Sequence, residues 1–334
     1  MGSAIFDGDV MDATICLKGA IPDDLTQQMR AKAEETLHQV HADYFPQKSF
    51  EDFQKGHMTH ALPGVIPKIM SYRFFNSELV TSLRECLKDK VATAHNSEEA
   101  SQLLFHPIFY LRFSWPNIYL SKNPTEPFMD SQPHYDIGFG LPAYVFWVPL
   151  VEINEDTGGL CYWKGEKVFE LFPSPTNKNT YSYETYLEAA PTIDGDLRRD
   201  VVSHELEVGD VLTFDGTLLH GAIRPQKSVR ISIDFRFVLP SKVRGCSETV
   251  QQMFKEVNES FDLTRAQNLM SIGDFLGAAR ILEHLSQKTN NIMLSKVAEV
   301  MKACPPQPEI LKESSCYHWS NEYRWISKGE GVTY

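Results

Sequence analysis

His134-Tyr135-Asp136, His220 and Arg230 are the residues of this chain whose types and spacing could do redox chemistry. Two neutral imidazoles and one carboxylate can hold one face of an octahedral ferrous ion, leaving the opposite face open for a chelating cosubstrate and O2. Arg230 adds a cation ten residues after His220, where the alternating run Val229 to Phe237 opens. The triplet carries little weight alone. With 11 His and 44 acidic residues in 334, chance yields about one or two His-x-acid triplets. The chain has two, the other being His41-Ala42-Asp43. His41 lies among Leu25, Met29, Leu37, Val40 and Tyr44, a spacing that predicts an amphipathic helix. A His-x-Asp pair there points around the cylinder, and we read it as a solvated helix face. The His134 copy sits between stretches rich in aromatic and β-branched residues, and in extended chain two residues so spaced project to the same side. Only this copy can direct two bonds to one ion.

Those side chains need a frame. Phe109 to Phe113 reads as a strand, His134-Tyr135-Asp136 ends or follows the next, and Tyr144 to Ile153 is a third. After the turn Asn154 to Thr157, Gly158 to Trp163 is a fourth. Glu207 to Phe214 gives a turn and a strand, Leu218 to Ala222 follows, and Val229 to Val238 is the last. This order fits a jelly roll, two facing sheets whose mouth can hold a ligand. In the last strand Val229, Ile231, Ile233, Phe235 and Phe237 form one face, and Arg230, Ser232, Asp234 and Arg236 the other. A sheet wetted on one side would turn the charged face to water; a strand serving a site would turn it inward.

Helical spacing flanks this unit. Pro22-Asp23-Asp24 opens a first helix and Ser77 is expected to cap a second through Leu79, Leu83, Leu87 and Val91, with a loop-rich tract from Phe45 to Pro67 between them. After Pro240 come Val250 to Phe261, then Asp274 capping Phe275 to Leu285, then Ile292 to Met301. The hairpin from Asp262 to Ala303 could be a partner-binding repeat, but stacked repeats need about three units to bury a core, so it reads as a brace. The tail Pro305 to Tyr334, with Trp319, Tyr323 and Trp325, is expected to pack back. The organisation expected is residues 1–102 as a helical flank, 103–240 as the β core with an insertion or lid at about 164–204, and 241–334 as C-terminal helices and tail. The fold class is α+β, mainly β.

Composition narrows the function. At 42% hydrophobic and 23% charged the chain is ordinary globular stock. A net charge of −12 without clustered Lys and Arg argues against nucleic acid as a partner. Six dispersed Cys form no C-x-x-C pair, the N-terminus has no basic region before an apolar stretch, and Phe6 spoils a myristoylation start. No window approaches the roughly 18 apolar residues of a membrane span. A cytoplasmic protein with no membrane partner is expected, and its helical flanks offer surfaces for a homo-oligomer.

The ordered set His134-x-Asp136, Glu155-Asp156-Thr157-Gly158-Gly159-Leu160, Gly209-Asp210, His220-Gly221 and Arg230 resembles the Fe(II)/2-oxoglutarate-dependent dioxygenases, and among them the phytanoyl-CoA dioxygenase-like branch. The resemblance spans about residues 105–240. It implies a double-stranded β-helix, cupin-like, with His134, Asp136 and His220 as catalytic iron ligands and 2-oxoglutarate and O2 as cosubstrates. Arg230 with Ser232 suits the far carboxylate of 2-oxoglutarate, because a guanidinium grips a carboxylate bidentately and a hydroxyl can take a further oxygen. Asn117 and Tyr119 are further cosubstrate-binding candidates. Arg236 lies about 20 Å along the strand from Arg230, too far to share its role, and Arg224 is a competing anion-binder. Tyr135, Trp147 and Trp163 are candidates to line the cavity. Related halogenases carry Gly or Ala where Asp136 stands, so the resemblance favours hydroxylation of an unactivated C–H bond with release of succinate and CO2, while the same chemistry can also desaturate, epimerise or close a ring. A small-molecule substrate is expected, an amino acid or natural-product intermediate before an acyl-CoA, whose phosphates want basic clusters. Two other readings stay open: a cupin-like metabolite- or partner-binding protein without activity, and a metal-dependent cupin enzyme that does not use 2-oxoglutarate. Two His and a carboxylate also suit catalytic zinc, but a hydrolytic site has no need of the Arg230 clamp.

Overall fold

The computed structural model describes residues 14–51, 53, 65–94, 102–116, 129–136, 141, 143–163 and 201–304. β1 (Thr14–Leu17) leads to α1 (Asp23–Tyr44), α2 (Val65–Phe74) and α3 (Ser77–Ala94). The strands follow: β2 (Leu104–Ser114), β3 (Met129–His134), β4 (Tyr144–Pro149), β5 (Leu160–Trp163), β6 (Val201–Ser203), β7 (Val211–Asp215), β8 (His220–Ile223) and β9 (Arg230–Val238). The described chain then ends in α4 (Pro240–Arg244), α5 (Glu248–Glu259), α6 (Phe261–Ser271), α7 (Phe275–Thr289) and α8 (Ile292–Lys302). The architecture is α+β, and no helix among the described residues is long and apolar enough to cross a membrane.

Helix boundaries differ from expectation at three points. α2 begins inside the tract read as loop; Pro67 sits in its first turn, where a missing N–H costs little. Ser71 of α2 donates to the Pro67 carbonyl (2.8 Å) and accepts from the Leu111 N–H (2.9 Å), which ties the helix to β2. The N-terminal cap of α3 is Asn76, whose side chain accepts from the Leu79 N–H (2.9 Å), while the Ser77 hydroxyl donates to Asp262 (2.6 Å). The run from Val250 to Phe261 breaks at Ser260 into α5 and α6. Asp274 does cap α7, accepting from the Gly277 N–H.

The strands form two sheets, β1-β7-β4-β9-β2 and β3-β8-β5-β6, and every pair is antiparallel. Phe105 and Phe109 of β2, Phe146 of β4 and Phe235 and Phe237 of β9 pack outward against the helices, with Phe261 of α6 stacking edge-on Phe105 at 5.5 Å. The opposite face of the larger sheet presents Val145, Trp147, Leu212 and Phe214 to Leu160 and Tyr162 of the smaller one. Both faces of the larger sheet are therefore buried.

A polar cluster ties the flanking helices together. Arg73 of α2 donates through Nε (2.7 Å) and NH2 (2.6 Å) to Asp274, and through NH1 (2.6 Å) to Asp43 of α1. Arg280 of α7 holds both Asp43 oxygens (2.6 and 2.9 Å), and the Tyr44 hydroxyl donates to Asp274. Asp43 belongs to the triplet read as a solvated helix face, and that reading is corrected: its side chain is only 12% exposed and doubly paired. Burial by itself would raise the Asp43 carboxyl, but Arg280 and Arg73 outweigh it and hold it below its ordinary 3.8. A depressed folded-state value gives stability that is present above the unfolded value and lost as pH falls through the folded one. Asp43→Asn should thus unfold at lower urea than the unsubstituted chain at pH 7, and the gap should narrow as the pH falls below about 4 and close only once it has passed below the depressed folded value. A gap independent of pH would mean that the charge of Asp43 contributes nothing.

Candidate active site

β3 and β8 pair with His134 directly opposite His220. Directly opposed residues bring their Cβ atoms within about 5 Å, and the two rings stand 4.3 Å apart, centroid to centroid. Asp136 follows the end of β3. Its N–H donates to the Gly216 carbonyl (2.8 Å), and the Gly216 N–H to that of Ala143 (2.8 Å). The Asp136 backbone is thereby fastened to the turn after β7. His220 Nδ1 donates to the Leu218 carbonyl (2.9 Å), which leaves Nε2 as the lone-pair nitrogen. That Nε2 lies 3.4 Å from Asp136 Oδ2, and His134 Nε2 lies 3.8 Å from Oδ1.

One donor atom from each of His134, Asp136 and His220 falls within 4.8 Å of the others, the one such group of His, Cys, Asp or Glu among the described residues. Asp136 and His220 are buried, whereas the His134 side chain is 22% exposed, so the group opens on the His134 side. Burial alone would raise the Asp136 carboxyl; Arg236, His220 and His134 override it and hold it well below the usual carboxylate range. A carboxylate ionised before any ion arrives, beside two imidazole nitrogens, is a donor set for a borderline divalent metal. The residues present fit iron.

Arg230, Ser232, Asp234 and Arg236 are all buried, so the charged stripe of β9 faces inward and not toward water. Arg230 NH2 donates to Ser114 Oγ of β2 (3.0 Å) and NH1 to the Ile223 carbonyl (2.5 Å). Ile223 is the far end of β8 from His220, about 10 Å along the strand, so Arg230 lies deeper than the three ligand candidates. Ser232 Oγ is buried with no hydrogen-bond partner. Such a hydroxyl costs about 1–3 kcal/mol unless something bonds it, and an anion gripped by Arg230 would supply the oxygen. Arg224, the competing anion-binder, is also buried.

The Glu155–Leu160 turn supports this end. Gly158 has φ +59°, and a Cβ there would meet the Ile223 carbonyl oxygen at 2.5 Å, so glycine lets the turn pack on the carbonyl that receives Arg230. The Asp156 carbonyl accepts from the N–H groups of Gln226, Lys227 and Ser228, which fixes the approach to β9.

Other candidates fare differently. Asn117 and Tyr119 lie outside the described residues, as do most of the 164–204 insertion and the tail from Pro305. The end of that insertion is strand β6, paired with β5, and so belongs to the sheet and not to a lid. Trp147 packs in the apolar layer between the sheets and Trp163 is fully buried, so both serve the core. Tyr135 is half-buried, and burial pushes its hydroxyl up to about 12.

Sequence reasoning missed three residues: Ser114, Gly216 and Arg236. Arg236 was set aside by its distance from Arg230, yet its NH2 lies 2.6 Å from Asp136 Oδ2. Its place on the same face as Arg230 was legible from alternation, but not which way that face turns or which partner it meets. Asp215-Gly216 carries an ordinary turn signal. Its further meaning is steric, because a Cβ at Gly216 would lie 2.6 Å from the Asp136 carbonyl oxygen and 3.3 Å from that of Ala143. Both are backbone atoms, so Gly216→Ala must displace the backbone of Asp136. We expect it to cost about 1–3 kcal/mol of stability and to weaken Co(II) binding about tenfold or more, read by thermal melting and by titration. Unchanged Co(II) affinity would show that the Asp136 backbone tolerates the shift.

Several solved structures are similar to this chain. The non-heme alpha ketoglutarate dependent epimerase SnoN from nogalamycin biosynthesis is 14% identical over 69% of this chain and 80% of its own, with a TM-score of 0.43. AviO1 from Streptomyces viridochromogenes Tue57 is 14% identical over 72% and 98%, with a TM-score of 0.42. EctD from S. alaskensis, solved with 2-oxoglutarate and 5-hydroxyectoine, is 14% identical over 69% and 73%, with a TM-score of 0.37. No curated protein matches. The phytanoyl-CoA dioxygenase (PhyH) profile matches residues 14–226, from β1 through β8 and both histidines. The chain belongs to that family, and it is an enzyme of the iron- and 2-oxoglutarate-dependent dioxygenase type.

Proposed function

We propose that His134, Asp136 and His220 hold ferrous iron, that Arg230 with Ser232 receives the far carboxylate of 2-oxoglutarate, and that the protein hydroxylates an unactivated C–H bond of a small metabolite. The observation that carries this reading is the approach of three donor atoms to within 4.8 Å of one another, with a buried guanidinium deeper in the same interior. Bound iron would supply O2 activation coupled to oxidative decarboxylation of the cosubstrate to succinate and CO2. The chain's own work is to orient the donors, to hold the cosubstrate by its distal end and to keep bulk water from the buried side.

The strand order supports a double-stranded β-helix. β2-β9-β4-β7 faces β3-β8-β5-β6, and consecutive strands of the barrel alternate between the sheets except β5 and β6, which pair with each other in the smaller one. Residues 103–240 then form the catalytic core, β1 of the N-terminal flank extends its larger sheet at the β7 edge, and the helices of the two flanks are its brace. The acidic net charge of −12 favours a neutral or cationic substrate, such as an amino acid or natural-product intermediate, over an acyl-CoA.

The test is succinate release under air with Fe(II), ascorbate and 2-oxoglutarate, first alone and then against a panel of amino acids and natural-product precursors. We expect slow uncoupled turnover that a true substrate stimulates, with a product heavier by one oxygen atom. Tight 2-oxoglutarate binding without any succinate would favour a binding protein, and Fe-dependent turnover indifferent to 2-oxoglutarate would favour a cupin enzyme of another kind.

A further inference from the structure

Arg236 is the longest side chain on the inward face of β9 that Arg230 and Ser232 do not account for. Both its side chain and that of Asp136 are 2% exposed, and its NH2 lies 2.6 Å from Asp136 Oδ2. Its other nitrogen, NH1, donates to the Ile108 carbonyl (3.3 Å) and stands 3.7 Å from Asp234 Oδ1. Asp234 Oδ2 in turn faces Arg112 NH2 at 3.6 Å, and Arg112 lies over the Tyr110 ring at 4.4 Å. The register puts Asp234 opposite Tyr110 of β2 and Trp147 of β4, and Arg236 opposite Val145. The guanidinium is therefore held from an inner strand of the larger sheet and reaches across the interior to a residue attached to the smaller one.

We propose that Arg236 is a positioning residue: it holds Asp136 by Oδ2, so that Oδ1 alone, the oxygen nearer His134, is presented to the metal, while Asp234 and Arg112 fix the guanidinium in turn. The proposal rests on the reading that His134, Asp136 and His220 bind an ion. A free carboxylate rotates about its terminal torsion and can offer a metal one oxygen or two. A planar guanidinium anchored in a strand removes that freedom, and a carboxylate limited to one bond leaves more of the ion's coordination sphere for a cosubstrate and O2. Outer partners of metal ligands act in this way, and their loss typically costs 10–100-fold in metal affinity.

Co(II) is the probe, because its visible d–d absorption reports ligand number and geometry without any turnover. Arg236→Gln should lower Co(II) affinity by about 10–100-fold and alter the d–d bands, and Arg236→Lys should recover part of both. Removing a buried cation leaves Asp136 and Asp234 uncompensated, so Arg236→Gln could fail to fold. The double variant Asp234→Asn/Arg236→Gln removes one charge of each sign, and it should fold and still show the weakened affinity and altered spectrum. A folded variant of either kind with unchanged Co(II) affinity and spectrum overturns the proposal and leaves the ligand reading standing. If the unsubstituted chain takes up no Co(II), the ligand reading itself fails and the proposal falls with it.

Discussion

Asp136→Ala is expected to reduce succinate release to the level of a no-enzyme control and to weaken Co(II) binding by more than the roughly 100-fold that loss of an outer partner can cost. Asp136 is the lone anion among the three candidate ligands, and without it two neutral imidazoles remain to hold a divalent cation. The same substitution strands Arg236, whose guanidinium lies 2.6 Å from the missing carboxylate in a buried setting. Breaking a buried pair from one side costs about 3–5 kcal/mol, so part of the effect would come from a weakened fold. Asp136→Asn separates the two causes, because it keeps the shape and an acceptor for Arg236 while removing the charge that the metal needs. We expect Asn to melt closer to the unsubstituted chain than Ala does, and to be as inactive. An Asn variant retaining a tenth or more of the succinate release would sink the assignment of Asp136 as a ligand.

Arg230→Met should raise the KM for 2-oxoglutarate by on the order of 100-fold, with Co(II) affinity in the absence of 2-oxoglutarate changed by less than about threefold. Methionine has similar reach without charge or donors, and a charge-assisted pairing with a carboxylate is worth roughly 1.5–3 kcal/mol. The split arises because Arg230 lies at the Ile223 end of β8 and the ligand candidates gather at its His220 end. Arg230→Lys should recover only part of the loss, since an ammonium cannot make the forked contact. Arg230 also donates to Ser114 and Ile223, so melting curves of both variants are needed as controls. A KM within threefold of the unsubstituted value in a folded Met variant would remove Arg230 as the cosubstrate clamp.

The residue types at the candidate site were legible before any fold was known. His134-x-Asp136 stood out from His41-x-Asp43 by its neighbours, and the helix–strand–helix order could be read from periodicity, because three-to-four spacing and alternation are local properties. Local rules faltered where two signals lay close together. Asn76 and Ser77 are adjacent cap formers, and Asn76 won the cap because Asp262 of α6 engaged the Ser77 hydroxyl. Asp43 looked solvated until Arg73 and Arg280 arrived from two other helices.

What the sequence determined by itself is the chemistry on offer: two imidazoles, a carboxylate, a guanidinium and a hydroxyl, in an order typical of one family, on strands whose two faces differ. Tertiary structure alone decided how they are used. Alternation in β9 separates Arg230, Ser232, Asp234 and Arg236 from their apolar neighbours but does not say which face is inward, and here helices cover one side and a second sheet the other. The pairing of His134 with His220 and the reach of Arg236 to Asp136 join segments distant in the chain. A side chain's partner is set by whichever surface packs against its face, and that surface is supplied by strands and helices its own neighbours in sequence do not specify.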